Sequence, residues 1–155
     1  MSHFTIDQAG KIENTAENTI LACYSNEIQY SIKVPKKLKQ EIFNSCYKKH
    51  KKRIMIRMFS FCVSLLLKDK INEDSLVILD NEYDGHQGTI KQLVLTFSKI
   101  SKNSLQIKEI GKKDPSHRIA NQTFSGKIKP NKIITVKELS LEKIFSSKKV
   151  RKLLK

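Results

Sequence analysis

The stretch SLVILDNEYDGHQG, Ser75 to Gly88, decides how the chain is read. It opens on four consecutive apolar residues, Leu76, Val77, Ile78 and Leu79. A short, β-branched run ended by polar residues predicts a buried strand. Asp80, Glu82 and Asp84 follow, then Gly85, after which a helical pattern begins. In α/β folds, chemistry gathers where a strand delivers side chains to its C-terminal end and a helix follows. The chain carries 30 Lys and Arg against 15 Asp and Glu, a net charge of +15, so a tight knot of acids is the feature least explained by solubility.

At 155 residues the chain is long enough for one domain with a real core. Its excess of positive charge favours polyanions: RNA, DNA or an anionic membrane surface. The bland alternative is a chain rich in Lys, Ile and Asn because its genome is AT-biased. Three cysteines, Cys23, Cys46 and Cys62, form no CxxC pair, which predicts reduced, buried thiols rather than a disulfide frame or a zinc site. The first residues, MSHFTIDQ, have neither the basic nor the apolar region of a signal peptide. Ile54 to Leu67 is the most apolar stretch; it is shorter than the ~20 residues that span a bilayer and is interrupted by Arg57. A buried helix in a cytoplasmic protein with no membrane span is the expectation.

The remaining elements follow from the pattern. His3 to Asp7 and Thr19 to Tyr24 predict two strands, and Glu27 to Val34 alternates like a third with one buried face. Ser25-Asn26 reads as a hairpin turn between the last two. Pro35 opens a helical region in which Leu38, Ile42, Phe43, Cys46 and Tyr47 recur at helical spacing, with Lys36, Lys37 and Lys39 on the polar face. A basic cluster, Lys48 to Arg53, stands before the apolar helix as a junction or as its continuation. Beyond Gly85, Ile90, Leu93, Val94 and Phe97 mark an amphipathic helix. Leu105 to Ile110 predicts another strand. A helix starts at Pro115 or Ser116, capped by Asp114 or Ser116, and ends at Gly126. Ile133 to Val136 reads as extended, Leu139 to Phe145 as a short helix, and the basic tail SSKKVRKLLK as partly frayed.

The expected fold is therefore a single α/β domain of order β-β-β-α-β-α-β-α, with a mixed sheet and helices on its faces. Residues 1–126 form its body, and residues 127–155 a basic C-terminal strand and helix that pack on it or trail from it. This order resembles that of the ribonuclease H-like superfamily, and the resemblance covers roughly residues 2 to 125. In that family two divalent metals sit between carboxylates: one on the first strand, one at the end of the fourth, and a last acid or histidine near the final helix. The matching positions are Asp7 in TIDQAG, Asp80 in VILDNEY, and Asp114 and His117 in KKDPSHRIA. The family often adds a Glu on the first helix. Glu41 is the candidate here, and Glu82 can substitute for it.

The resemblance implies Mg²⁺ or Mn²⁺ held by Asp7, Asp80 and Glu82, with His117 as a further catalytic residue. Such ions are hard and prefer carboxylate oxygens. Two of them about 4 Å apart activate water and stabilise the leaving oxygen of a phosphodiester. Each residue also has an ordinary role open to it. Asp7 before QAG can start a turn, Asp80 can cap a strand end, and His117 can be a surface or capping residue. Asp84 before Gly85 and Asp114 before Pro115 read as turn residues. Glu82 alternates with Asp80 and so shares its side of an extended chain. The run Asp80-x-Glu82-x-Asp84-Gly85 mimics the start of an EF-hand loop, but the twelfth position is Lys91, not Glu.

The basic segments complete the reading. Lys48, Lys49, Lys51, Lys52 and Arg53 form one group of nucleic-acid-binding candidates, and Lys112, Lys113 and Arg118 lie beside the acids in sequence. With few Arg and no Trp, they fit contact with a phosphate backbone rather than reading of bases. The expectation is a nucleic-acid-binding protein: a metal-dependent nuclease cleaving phosphodiester bonds of RNA, DNA, a hybrid or a junction. The alternatives are a non-catalytic nucleic-acid-binding module on the same fold, or a basic protein docking on an acidic partner.

Overall fold

The computed structural model describes residues 2–155. Its frame is one six-stranded mixed sheet. Three strands come first: β1 (His3–Ala9), β2 (Thr19–Tyr24) and β3 (Gln29–Val34), joined as antiparallel neighbours. Two helices follow, α1 (Lys36–Asn44) and α2 (Lys51–Leu67). Next are β4 (Leu76–Asp80), α3 (Gln87–Phe97), β5 (Leu105–Lys108) and α4 (Pro115–Phe124). The chain ends with β6 (Lys132–Ile133), α5 (Leu141–Ile144) and α6 (Ser147–Leu153). Across the sheet the order is β5-β4-β1-β2-β3-β6, with β4 parallel to β1, β5 parallel to β4, and β6 parallel to β3.

Alternation along the strands sorts side chains onto two faces. Phe4, Ile6, Leu21, Cys23, Ile32, Val77 and Leu79 join the main core with residues of α1, α2, α3, α5 and α6. Ala9, Ile20 and Ala22 point the other way and meet Ile119 and Ala120 of α4 in a second, smaller cluster. α2 is apolar almost all round because it packs on the sheet, on α3 and on α5. Within β4, Val77 and Leu79 are buried while Leu76 and Ile78 are half-buried. The continuous apolar run is thus covered fully on one face only, since α4 packs on β1 and β2.

One open alternative is settled and two expectations change. The cluster from Lys48 to Arg53 is a junction: a 3-10 turn over Lys48–His50 leads into α2, so two helices stand between β3 and β4. β1 runs two residues beyond Asp7, to Ala9. The tail is not frayed. Ser146 caps α6, Val150 and Leu153 are buried, and Leu154 bridges to Cys46. All three cysteines are free and buried, and burial pushes the Cys23 thiol up to about 11 and the Cys62 thiol to about 12. Among the described residues no helix is long and apolar enough to cross a membrane.

Candidate metal centre

The parallel register of β1 and β4 builds the site. Ile6 stands opposite Leu79, and the next residues along the two strands are Asp7 and Asp80. Two adjacent strands thus present a carboxylate each at the same level of the sheet. Glu82 follows two residues on, as its alternation with Asp80 predicts. One carboxylate oxygen from each of Asp7, Asp80 and Glu82 lies within 4.8 Å of the other two. Asp7 is buried at 3% exposure, whereas Asp80 and Glu82 are half-buried, so the cluster opens toward solvent from the β4 side.

Each acid is held by neighbours. Asp7 Oδ1 accepts the Gln8 backbone N–H at 2.8 Å, and its Oδ2 lies 2.5 Å from His117 Nδ1. Asp80 Oδ1 accepts the Ile110 N–H at 3.0 Å. His117 sits in the first turn of α4, whose start is pinned by Asp114. That carboxylate accepts Ser116 N–H at 3.0 Å, Ser116 Oγ at 2.6 Å and Thr5 Oγ1 at 2.7 Å, fastening α4 to β1. Asp114 is therefore the helix cap, the ordinary role open to it in the sequence.

One turn beyond His117, Asn121 Nδ2 lies 2.8 Å from His117 Nε2. Donation from that amide makes Nε2 an acceptor, so the ring proton sits on Nδ1 and is given to Asp7. Both ring nitrogens are then engaged. His117 orients Asp7 instead of offering a lone pair of its own. Asn121 escaped the sequence reading. Its signal was the i, i+4 spacing from His117 on one helix face.

Three carboxylates this close cannot all remain ionised on their own. The strain falls on Glu82, whose carboxyl is pushed up to about 9, first by burial, then by its bonds to Asp80 and Asp7 and by their charges. A proton bound so tightly is one that a hard divalent cation would replace. The all-oxygen donor set and its spacing suit Mg²⁺ or Mn²⁺. Between the two acids in sequence, Asn81 Oδ1 is buried without a hydrogen-bond partner.

The loop carrying Glu82 is anchored from behind. Tyr83 is buried edge-to-face on Phe59, with ring centroids 5.0 Å apart, and its hydroxyl donates to Glu13 Oε1 at 3.0 Å. Glu13 belongs to the loop between β1 and β2, which Lys39 ties down. Lys39 is fully buried; its ammonium donates to Asn14 O at 2.6 Å, Thr19 Oγ1 at 2.9 Å and Lys11 O at 3.3 Å. This lysine, assigned from sequence to the polar face of α1, instead faces inward.

Comparison with protein families, curated proteins and solved structures gave no match.

Other candidates lie outside the cluster. Glu41 is exposed on α1. Asp84 is exposed and takes the Asn81 amide at 2.9 Å. Lys48 and Lys49 are exposed in the 3-10 turn, and Lys51, Lys52 and Arg53 in the first turn of α2. Lys112 and Lys113 are exposed just before α4, and Arg118 is exposed within it. The arrangement as a whole is a carboxylate cluster at the C-terminal end of β4, fixed by backbone amides and by α4.

Proposed function

We propose that the chain is a divalent-cation-dependent nuclease of ribonuclease H-like design, acting on phosphodiester bonds of RNA, DNA or a hybrid. The observation that carries this reading is the convergence of Asp7, Asp80 and Glu82 from β1 and β4. The sheet order β5-β4-β1-β2-β3, with β2 alone running against the others in that set, supports it. So does the position of His117 on the helix after β5.

In this reading Asp7, Asp80 and Glu82 hold Mg²⁺ or Mn²⁺. Bound there, the cation supplies Lewis-acid polarisation of a phosphoryl oxygen and lowers the pKa of a bound water. The chain does the rest. The Gln8 and Ile110 amides aim Asp7 and Asp80, and His117, braced by Asn121, fixes the second oxygen of Asp7. Glu82 gives up its proton when the cation enters. Exposed Lys112, Lys113 and Arg118 hold the phosphate backbone beside the acids.

The test is a Mn²⁺ titration of labelled protein followed by paramagnetic broadening of NMR signals, paired with a cleavage screen on RNA, DNA and hybrid substrates. Broadening that converges on Asp7, Asp80 and His117, with cleavage abolished in Asp7→Asn and Asp80→Asn, is the expected result. Broadening without cleavage on any substrate would leave a cation-binding nucleic-acid module. The exposure of Glu41 favours that second reading, because α1 then adds no carboxylate to the cluster. No localised broadening would refute the metal centre and leave a nucleic-acid-binding module whose acids are structural.

A further inference from the structure

A second charged feature lies on the same end of the fold, in a groove of about 430 Å³ between α2 and α3. Lys49, Lys52, Arg53, Arg57 and His86 line it, and no acidic residue does. Its floor is aliphatic, made by Ile56 and Leu93. Two guanidiniums are held in place: Arg57 lies 4.7 Å and Arg53 5.8 Å from the centroid of the Phe145 ring. Arg57 Nε also donates to Ile144 O at 2.6 Å. Neither arginine has a carboxylate partner; the ion pairs among the described residues are His117–Asp7 and Lys132–Glu138. A fixed arginine next to another arginine, partly buried and without a counter-charge, is a costly arrangement that an anion would relieve.

The groove and the acids stand on opposite faces of the sheet, since α2 and α3 cover the face of Ile6 and Leu79 while Asp7 and Asp80 alternate onto the α4 face, and topology brings them to the same end. α2 leads into the start of β4, so the beginning of α2 lies toward the end of β4, where Asp80 stands. His86 follows Glu82 by four residues and precedes α3 directly. We infer that the groove seats the phosphate–sugar backbone of a nucleic-acid single strand, running from the α2–α3 cleft toward the carboxylates. The choice of this occupant over other anions rests on the nuclease reading. Planar guanidiniums pair two-to-two with the unesterified oxygens of a phosphodiester. The aliphatic floor suits a sugar, and the lining holds no Phe, Tyr or Trp on which a base would stack, so binding is indifferent to sequence.

The experiment uses the full chain in EDTA, so that it is blind to any metal chemistry. Fluorescence anisotropy follows a labelled oligothymidylate across a salt series. The variant Lys49→Gln/Lys52→Gln/Arg53→Gln changes exposed side chains only. A control, Lys99→Gln/Lys102→Gln/Lys127→Gln, removes the same charge from exposed positions outside the groove. The groove variant is expected to bind at least tenfold more weakly. It should also flatten the salt dependence by about 2 in log–log slope, near 0.7 for each single-strand phosphate that is no longer neutralised. The control should keep wild-type affinity within about twofold, and circular dichroism should show both variants folded. Equal losses in groove variant and control would overturn the site in favour of diffuse charge. Displacement of the oligonucleotide by polyglutamate at equal charge concentration would overturn the strand in favour of an acidic protein. Because no divalent ion is present, failure of this binding test leaves the Mn²⁺ result untouched, and failure of the Mn²⁺ test leaves this binding result to be read by itself.

Discussion

Replacing Lys39 by Met tests the least expected element of the site's support. Two effects of opposite sign meet at this residue. Burial of the ammonium lowers its pKa from the ordinary 10.5 to about 8. At 1.36 kcal/mol per pH unit, that sets an upper bound of roughly 3 kcal/mol on the cost of keeping it charged. Allowing for solvent screening leaves about 1–2 kcal/mol. Against this stand three hydrogen bonds from a charged donor to Lys11 O, Asn14 O and Thr19 Oγ1. At about 1.5 kcal/mol each they outweigh the cost. Lys39→Met should therefore destabilise the fold by about 3 kcal/mol at pH 7. Between pH 8 and 10.5 the unfolded chain holds the Lys39 proton while the folded chain releases it, so this lysine adds stability to the wild type as pH rises. The deficit of Lys39→Met should widen by roughly 1–2 kcal/mol over that window. Urea denaturation of both proteins across that window and at pH 7 measures it. Taking the difference is essential, because Glu82 pulls the wild-type curve the other way up to about 9. A deficit that stays constant or shrinks with pH would refute a buried ammonium.

Three other outcomes are expected. His117→Ala leaves the three carboxylates in place but frees Asp7 Oδ2, and should weaken Mn²⁺ binding by about tenfold or more in calorimetry; unchanged affinity would show that His117 does not position Asp7. Glu82 holds its proton in the folded state up to about 9, so its stabilising effect is complete below about 4.5 and fades as pH climbs through that window. Without divalent cations, Glu82→Gln should thus melt higher than wild type at about pH 8, by roughly 1 kcal/mol after screening, and saturating Mn²⁺ should reverse the order. Gly10 has φ +73°, and a Cβ there would lie 2.2 Å from Asn18 O and 2.7 Å from Phe124 Cε2. Gly10→Ala should cost about 3 kcal/mol in denaturant unfolding, and a neutral result would mean that the β1–β2 loop moves freely.

Much of the site's frame was legible because it depends on short-range pattern. β2 runs from Thr19 to Tyr24 as its apolar run indicates, and the β4 stretch delivers Asp80 at its end. Glu82 meets Asp80 as the spacing suggests, although the strand ends at Asp80 and Glu82 belongs to the loop that follows. What the pattern could not hold was depth and partnership. Lys39 neighbours Leu38 and lies three residues from Ile42, at the edge of the buried stripe, and only the β1–β2 loop decides that it turns inward. His117 and Asn121 share a helix face in the sequence, yet their meaning depends on Asp7, 110 residues away in the chain. The tail misled because its charge hid a helical pair, Val150 and Leu153, behind a serine cap.

The salt dependence of cation binding separates a built site from loose attraction. The chain carries a net +15, so its long-range field repels a divalent cation while attracting a nucleic acid. Within the cluster, three carboxylate oxygens 4.8 Å apart or less create an opposite, local field. Salt at about 0.1 M screens interactions beyond about 10 Å and leaves those at contact distance nearly intact. Raising KCl from about 20 to about 200 mM should therefore remove repulsion from the surrounding lysines and leave the carboxylates' pull in place. Mn²⁺ affinity should hold steady or rise by about twofold, whereas oligonucleotide affinity falls by orders of magnitude over a similar range. Electron paramagnetic resonance of free Mn²⁺ at the two salt concentrations measures the first, and anisotropy the second. A tenfold fall in Mn²⁺ affinity would mean that the ion is held by scattered surface acids, and the convergence of Asp7, Asp80 and Glu82 would lose its claim to be a metal centre.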